Sequence, residues 1–469
     1  MLFPTIEFAV FFAVVFAVSW ALNRQNTAKK AFLVAASYFF YGFWSVHYLA
    51  MLAGSSAFNW GLALLIGALT GRARLWALLF GVVANLALLA YFKYFNFFVA
   101  SFVNAFAAIG VPLHLPFVEV ALPIAISFLT FHALSYIIDV YRGVVKPTRS
   151  LLDILFYISF FPHLVAGPIV RAKNFLAQTV RPSNPADILL GASVILIVGG
   201  LFKKVVVANY LGTEFVDPIF QNPTGQSRLD LLLGMYAYGL QIYCDFSAYT
   251  DIAIGVANIL GYQFPQNFNQ PYRALSVQDF WRRWHMTLSA WLRDYLYIPL
   301  GGNRGGRLAT YRNILITMGL GGLWHGANWN FVIWGLLHGA ALVVERALGI
   351  TNGDRPRRRW SAWLAWLVTF HFVCLTWVFF RSPTLADSMD YFRTLFLGGG
   401  SGTLLTPLVV AMFFFGALSQ VIPPRWWSRA ERWYDEGPLV AKIALPAFAI
   451  LAVAMAAPSG VAPFIYFQF

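Results

Sequence analysis

Residues 1–22 read MLFPTIEFAVFFAVVFAVSWAL, an apolar run of membrane-crossing length that carries one charge, Glu7. In lipid a backbone must satisfy its own hydrogen bonds, so a continuous run of this kind reads as a spanning helix. It has no basic stretch ahead of it and no small-residue cleavage site closely after it. It therefore reads as a retained first span, not a signal peptide. Similar runs recur near 31–52, 55–70, 75–91, 117–138, 151–170, 187–210, 230–262, 311–323, 327–348, 360–381, 403–423 and 440–457. The 230–262 run has room for two short passes or one broken helix. The expectation is an all-α polytopic membrane protein with about 11–14 transmembrane and re-entrant helices.

Composition agrees. Of 469 residues, 59% are hydrophobic and 11% charged, and mean hydropathy is +0.65. A soluble domain carries roughly 25% charged residues, so most of this surface must face lipid. Disordered chains, disulfide scaffolds and ordinary soluble enzymes are excluded. The runs do not alternate, which argues against a β-barrel. The net charge of +14 resides in loops, where cytoplasmic retention favours basic residues, so nucleic acid is not an expected partner. Basic loops after the first and third spans (Arg24, Lys29, Lys30; Arg72, Arg74) are expected in the cytoplasm, which puts the N-terminus outside. Cys244 and Cys374 lack any partner spacing for zinc or a disulfide framework, and no metal is expected.

One stretch breaks the pattern. Residues 263–312, QFPQNFNQPYRALSVQDFWRRWHMTLSAWLRDYLYIPLGGNRGGRLATYR, are polar-aromatic and contain seven arginines. Such a segment is tolerated at membrane depth only when protein or water surrounds it, so it is the first place to seek function. Ser276 followed by Asp279 resembles a capping box, predicting a helix from Val277 to about Tyr295. Trp281, Trp284, Leu288 and Trp291 would form one face, and Arg282, His285, Ser289 and Arg293 another. Either this is an interfacial helix whose arginines reach lipid head groups, or the basic face meets a ligand. GGNRGG at 301–306, flanked by Arg307, is a turn with retention charges or a loop that wraps phosphate oxygens.

Residues 319–340, GLGGLWHGANWNFVIWGLLHGA, hold His325 in apolar surroundings after three glycines. An ionisable group inside a span is a functional hypothesis by default. Burial favours the uncharged imidazole, which is the form a general base needs; the alternative is a histidine that bonds a neighbouring helix. The glycines admit close approach of a backbone or a substrate chain. His338 reads as packing. Ser127, Thr130, His132, Asp139, His163, Arg171, Gln241, Asp245, Ser247 and Asp251 are each read as helix–helix linkers, and together they point to a polar interior. There is no GxSxG elbow, HExxH or paired-carboxylate motif.

In this order, WRRWHMTLSAWLRDYLYIPLGGNR and GGLWHGANWNFVIWGLLHG resemble the membrane-bound O-acyltransferase family, and within it the bacterial alginate O-acetyltransferase branch. LPIAISFLTFHALSYIIDVYR, FPHLVAGPIVR and YAYGLQIYCDFSAYTDIAIG are similar to earlier segments of that branch. The resemblance spans about 120–345 and implies one membrane domain over 1–469: a ring of tilted helices around a central pore, with 263–312 as a re-entrant or amphipathic segment on the cytoplasmic side. It implies that His325 is the catalytic histidine and His285 the second site residue. It also implies a thioester donor, acetyl-CoA, with no tightly bound cofactor. The acetyl group would pass to a polysaccharide such as alginate, with a periplasmic SGNH-type acetyltransferase as partner. Arg282, Arg283, Arg293, Arg304 and Arg307 are candidates to meet the donor's phosphates. The competing readings are a polytopic transporter and a non-catalytic subunit of a glycan-export complex. A transporter predicts paired half-repeats with interrupted helices, and none is visible in the sequence.

Overall fold

The computed structural model describes residues 1–118, 121–350, 359–457 and 464–465. Among them every regular element is helical. Val46–Ala68, Gly71–Ala108, Leu190–Gln221 and Arg359–Arg381 are each long and apolar enough to cross a membrane. Pro407–Val421, taken together with Pro424–Glu436 beyond a 91° bend, is a further candidate span. Shorter apolar helices lie at Ile6–Ala21, Ile126–Tyr141 and Leu439–Met455. The expected 151–170 span is instead two pieces, Leu151–Ser159 and Phe161–Leu164, separated at Phe160, which is extended at ψ 114°; Pro162, with no N–H to continue the first piece, sits in the first turn of the second. The 230–262 run is one unbroken helix, Arg228–Ile259. Residues 119 and 120, inside the span expected at 117–138, lie outside the described residues.

The chain forms two compact units, one of residues 1–188 and 257–264 and the other of 189–256 and 265–469. In the first, Asn59 and Asn85 exchange side-chain hydrogen bonds at 3.1 and 2.8 Å, joining Leu49–Ala68 to Gly71–Leu89. Such polar linkers tie helices where lipid supplies no hydrophobic drive. Lys29 is fully buried, donating to Asn23 Oδ1, Ser183 Oγ and the Leu260 carbonyl, and Lys30 pairs with Asp153 at 2.5 Å. Two of the basic residues counted towards orientation therefore serve the packing of this unit. His163 donates from Nε2 to the Tyr157 carbonyl at 2.8 Å, and its ring lies 4.7 Å from that of His132.

In the second unit, a wide π turn at Phe202–Ala208 sends two successive lysines to the Arg228–Ile259 helix. Lys203 meets Asp251 and Ser247, and Lys204 meets Asp245. These carboxylates are helix–helix linkers, each matched by a cation, as buried charges require. The hairpin of Gly306–His325 and Trp329–Ala347 is the closest packing in the unit. A Cβ on Gly322 would lie 2.1 Å from the Phe331 carbonyl oxygen, and one on Gly335 would lie 2.2 Å from that of Met318. Of the three glycines before His325, Gly322 thus admits a neighbouring backbone, whereas a Cβ on Gly319 or Gly321 would meet a leucine side chain.

Candidate active site

The helix expected across 277–295 is broken at the residue that matters most. Val277–Arg283 ends, His285 takes a left-handed backbone (φ 42°, ψ 54°), and Met286–Leu292 begins anew, followed by a π turn at Arg293–Tyr297. The two continuous faces read from the sequence do not exist. A non-glycine residue held there carries strain of order 1–3 kcal/mol and persists only where the surroundings fix it.

Those surroundings centre on Asn267. Its amide oxygen accepts the Thr287 backbone N–H at 3.1 Å and the Thr287 hydroxyl at 2.9 Å, and it lies 3.1 Å from His285 Nδ1. An amide oxygen accepts and cannot donate, so Nδ1 is the protonated nitrogen, and burial favours the neutral ring. Nε2 is then the lone-pair nitrogen, and it is buried with no hydrogen-bond partner among the described residues. The His285 ring stands edge-on to Phe246 at 4.7 Å and against Trp324 at 6.1 Å. Sequence reading missed Asn267, because its role depends on the turn at His285, which brings Asn267 and Thr287 together.

His325 is the last residue of its helix, and the chain leaves it in extended geometry at Gly326. Its imidazole is enclosed by Trp324 (4.9 Å), Trp334 (5.2 Å) and Phe380 (5.1 Å). Trp324 therefore touches both histidines. Around them, indole N–H groups are matched: Trp281 donates to His338 Nδ1 at 3.3 Å and Trp377 to the Tyr272 hydroxyl at 3.1 Å. Trp334 differs from these two, since its buried Nε1 has no partner among the described residues. Unmatched buried donors are rare and call for an explanation. His338 has both nitrogens engaged, since Thr376 donates to the Val373 carbonyl and accepts from His338 Nε2 at 2.9 Å. It fastens three helical segments together.

A cavity of about 580 Å³ opens beside this cluster. Trp281 forms part of its wall and packs on Trp334 at 5.6 Å. Among the predicted arginines, Arg282 and Arg293 line it. So does Arg346, which the sequence reading passed over. Arg293 is paired with Asp294 at 2.7 Å. Arg283 is turned to Asp279 at 2.9 Å, while Arg304 and Arg307 are exposed and outside the lining. GGNRGG is a left-handed turn, with φ positive at Gly301, Gly302, Gly305 and Gly306. It leads into the His325 helix and is held by Asn313, which donates to the Gly302 carbonyl at 3.1 Å. Glu345, also on the cavity wall, accepts the N–H groups of Val277 and Gln278 at 2.5 and 3.0 Å. It fixes the start of the broken segment, a strong bond type because the acceptor is charged. No group of three or more metal-ligating side chains occurs among the described residues.

A family profile, MBOAT, membrane-bound O-acyltransferase family, matches residues 144–382. A Pseudomonas aeruginosa protein named "Probable alginate O-acetylase AlgI" is 43% identical, covering 85% of this chain and 75% of the relative. A Helicobacter pylori peptidoglycan O-acetyltransferase is 42% identical, over 80% of this chain and 75% of its own. A Bacillus subtilis teichoic acid D-alanyltransferase is 32% identical, over 55% and 68%. With its apolar helices, this chain belongs to the membrane-bound O-acyltransferase family and is a multi-pass membrane O-acyltransferase.

Proposed function

We propose that the chain moves an acetyl group from cytoplasmic acetyl-CoA across the inner membrane for O-acetylation of an exported, alginate-like polysaccharide, with its N-terminus periplasmic. The supporting observation is the convergence of His285 and His325 on Trp324 beside a cavity whose lining includes three arginines. The names of the relatives support a cell-envelope polysaccharide as acceptor. A periplasmic SGNH-type acetyltransferase is the proposed partner that completes delivery to the polymer.

In this reading His325 takes the proton of the attacking hydroxyl, and the oxygen adds to the thioester carbonyl. The carbonyl electrons move onto oxygen, where a donated hydrogen bond is worth most. Trp334 Nε1–H is the proposed donor. Collapse re-forms the carbonyl, breaks the C–S bond and expels the thiolate, which takes the proton back from His325. The products are an ester and a free thiol. His285, its Nδ1–H held by Asn267, offers Nε2 as an acceptor that orients the incoming hydroxyl.

The test is transfer from labelled acetyl-CoA in inverted membrane vesicles that contain the polymer and its export proteins. Label is expected in polymer esters. Replacing Arg282 or Arg346 with glutamine is expected to raise the donor KM about 5–50-fold with little change in kcat, the loss of a charge-assisted phosphate contact. Label that stays in CoA, or an unchanged donor KM, would overturn the assignment. Trp334→Phe, which keeps a ring but loses the N–H, is expected to lower kcat about 10–100-fold at constant KM. Trp377→Phe serves as comparison because its N–H is already matched within the protein. Equal effects of the two changes would mean that Trp334 only packs.

A further inference from the structure

Pro424–Glu436, PRWWSRAERWYDE, is the most polar helix of the second unit and stands between two apolar ones. It turns 91° from Pro407–Val421. The apolar residues at the neighbouring helix ends are open: Val421 is 58% exposed and Val440 77%. A helix at right angles to one apolar helix and followed by another lies in the plane where spans leave the hydrocarbon.

One face of this helix is pinned. Asp435 Oδ1 accepts the Gly191 N–H at 2.8 Å, Tyr434 donates to the Lys442 carbonyl at 2.7 Å, and Lys442 donates to the Asp435 carbonyl at 2.6 Å. A Cβ on Gly191 would come 2.7 Å from the Glu431 carbonyl oxygen, so the helix backbone rests directly on its neighbour. The opposite side is open. Arg425, Arg429 and Arg432, spaced i, i+4, i+7, form one exposed stripe, with Glu436 at its far end. Trp426 and Trp433, seven residues apart and 58% and 66% exposed, form the adjoining stripe. None of the three arginines is in an ion pair among the described residues.

We propose that this helix is a binding site for anionic phospholipid, with its arginine stripe on the phosphodiester head groups and its tryptophan stripe at the top of the acyl chains. On the open stripe three arginines stand against one acid, Glu436, while Glu431 and Asp435 fall on the side pinned at Gly191; that gives the charge complementarity, and guanidinium forks match phosphate oxygens. Tryptophan next to that stripe suits the boundary between head group and chain, where an apolar body and a polar edge are both accommodated. A soluble anionic polymer would have no use for the tryptophans. The site is separate from the cavity that we assign to the acyl donor.

The test uses the full chain in nanodiscs of phosphatidylglycerol mixed with phosphatidylcholine, followed by native mass spectrometry of the lipids retained. The wild-type protein is expected to retain phosphatidylglycerol in preference. Arg425→Gln/Arg429→Gln/Arg432→Gln is expected to lower that preference at least about tenfold, while acyl transfer in phosphatidylcholine discs is unchanged. Arg142→Gln/Lys146→Gln/Arg149→Gln removes the same charge from an exposed turn of the first unit and is expected to keep the preference. Trp426→Ser/Trp433→Ser is expected to weaken retention without altering its charge selectivity. An equal preference in the first variant and the wild type overturns the proposal. So does an equal loss in the second variant, or displacement of the lipid by a soluble anionic polysaccharide.

Discussion

Replacing His325 with alanine is expected to lower acyl transfer by about 10²–10⁴-fold, the span that a positioned general base supplies. The imidazole is 4% exposed and packed among three aromatic side chains, so little water can stand in for it. Removing a ring from such a site also leaves a cavity, at a cost of about 2–5 kcal/mol for a large buried side chain. The variant must therefore be measured with protein abundance alongside. The expected result is a polymer exported at normal yield, with protein at near-normal level and ester-linked acetyl nearly absent. His325→Gln, closer in volume, should restore abundance without activity. If export fell while acetyl per sugar held steady, the chain would be serving as a transporter or scaffold, and the enzymatic role of His325 would be refuted.

The second large effect is expected at Asn267, which touches neither proposed reactant. Its amide oxygen holds the His285 proton on Nδ1 and binds Thr287 on the far side of the strained residue. Asn267→Leu leaves three donors without an acceptor, each costing about 1–3 kcal/mol when buried. It also frees the His285 ring to change tautomer. Activity is expected to drop about 10²–10³-fold. Asn267→Asp keeps an acceptor oxygen in place and is expected to recover much of it. A stability defect alone cannot move the ¹⁵N chemical shifts of the His285 ring. In the wild type they should report the Nδ1–H form, and in Asn267→Leu a mixture. An unchanged tautomer with unchanged kcat would show that Asn267 only packs.

What the sequence made legible, and what it hid, divides along a physical line. Runs of apolar residues gave an all-helical membrane protein because lipid leaves a chain few alternatives. The Gly-rich stretch before His325 was equally plain: close approach was predicted, and a Cβ at Gly322 would meet the Phe331 carbonyl. The Val277–Tyr295 helix failed because period and capping are local, whereas its break is imposed by Asn267 from ten positions before Val277; Glu345, from the hairpin, fixes only its start. The arginine group was read by proximity in sequence. In the structure Arg282 and Arg293 stay together, Arg283 turns to Asp279, Arg304 and Arg307 face outward, and Arg346 joins from another helix. Trp334 could not be singled out among 17 tryptophans, since only the finished packing reveals that its indole proton lacks a partner among the described residues.

The glycine-to-carbonyl seam at Gly322 and Gly335 also bears on how this scaffold can diversify. A hairpin seated that tightly gives the imidazole at its tip almost no latitude, so new acyl chain lengths cannot be accommodated by shifting it. Latitude exists instead where Met286 and Met318 border the cavity, since unbranched thioether side chains re-pack readily around differently shaped guests. Tolerance for a longer or bulkier acyl group should therefore evolve at those two methionines, with the hairpin as the invariant anvil against which each new substrate is worked.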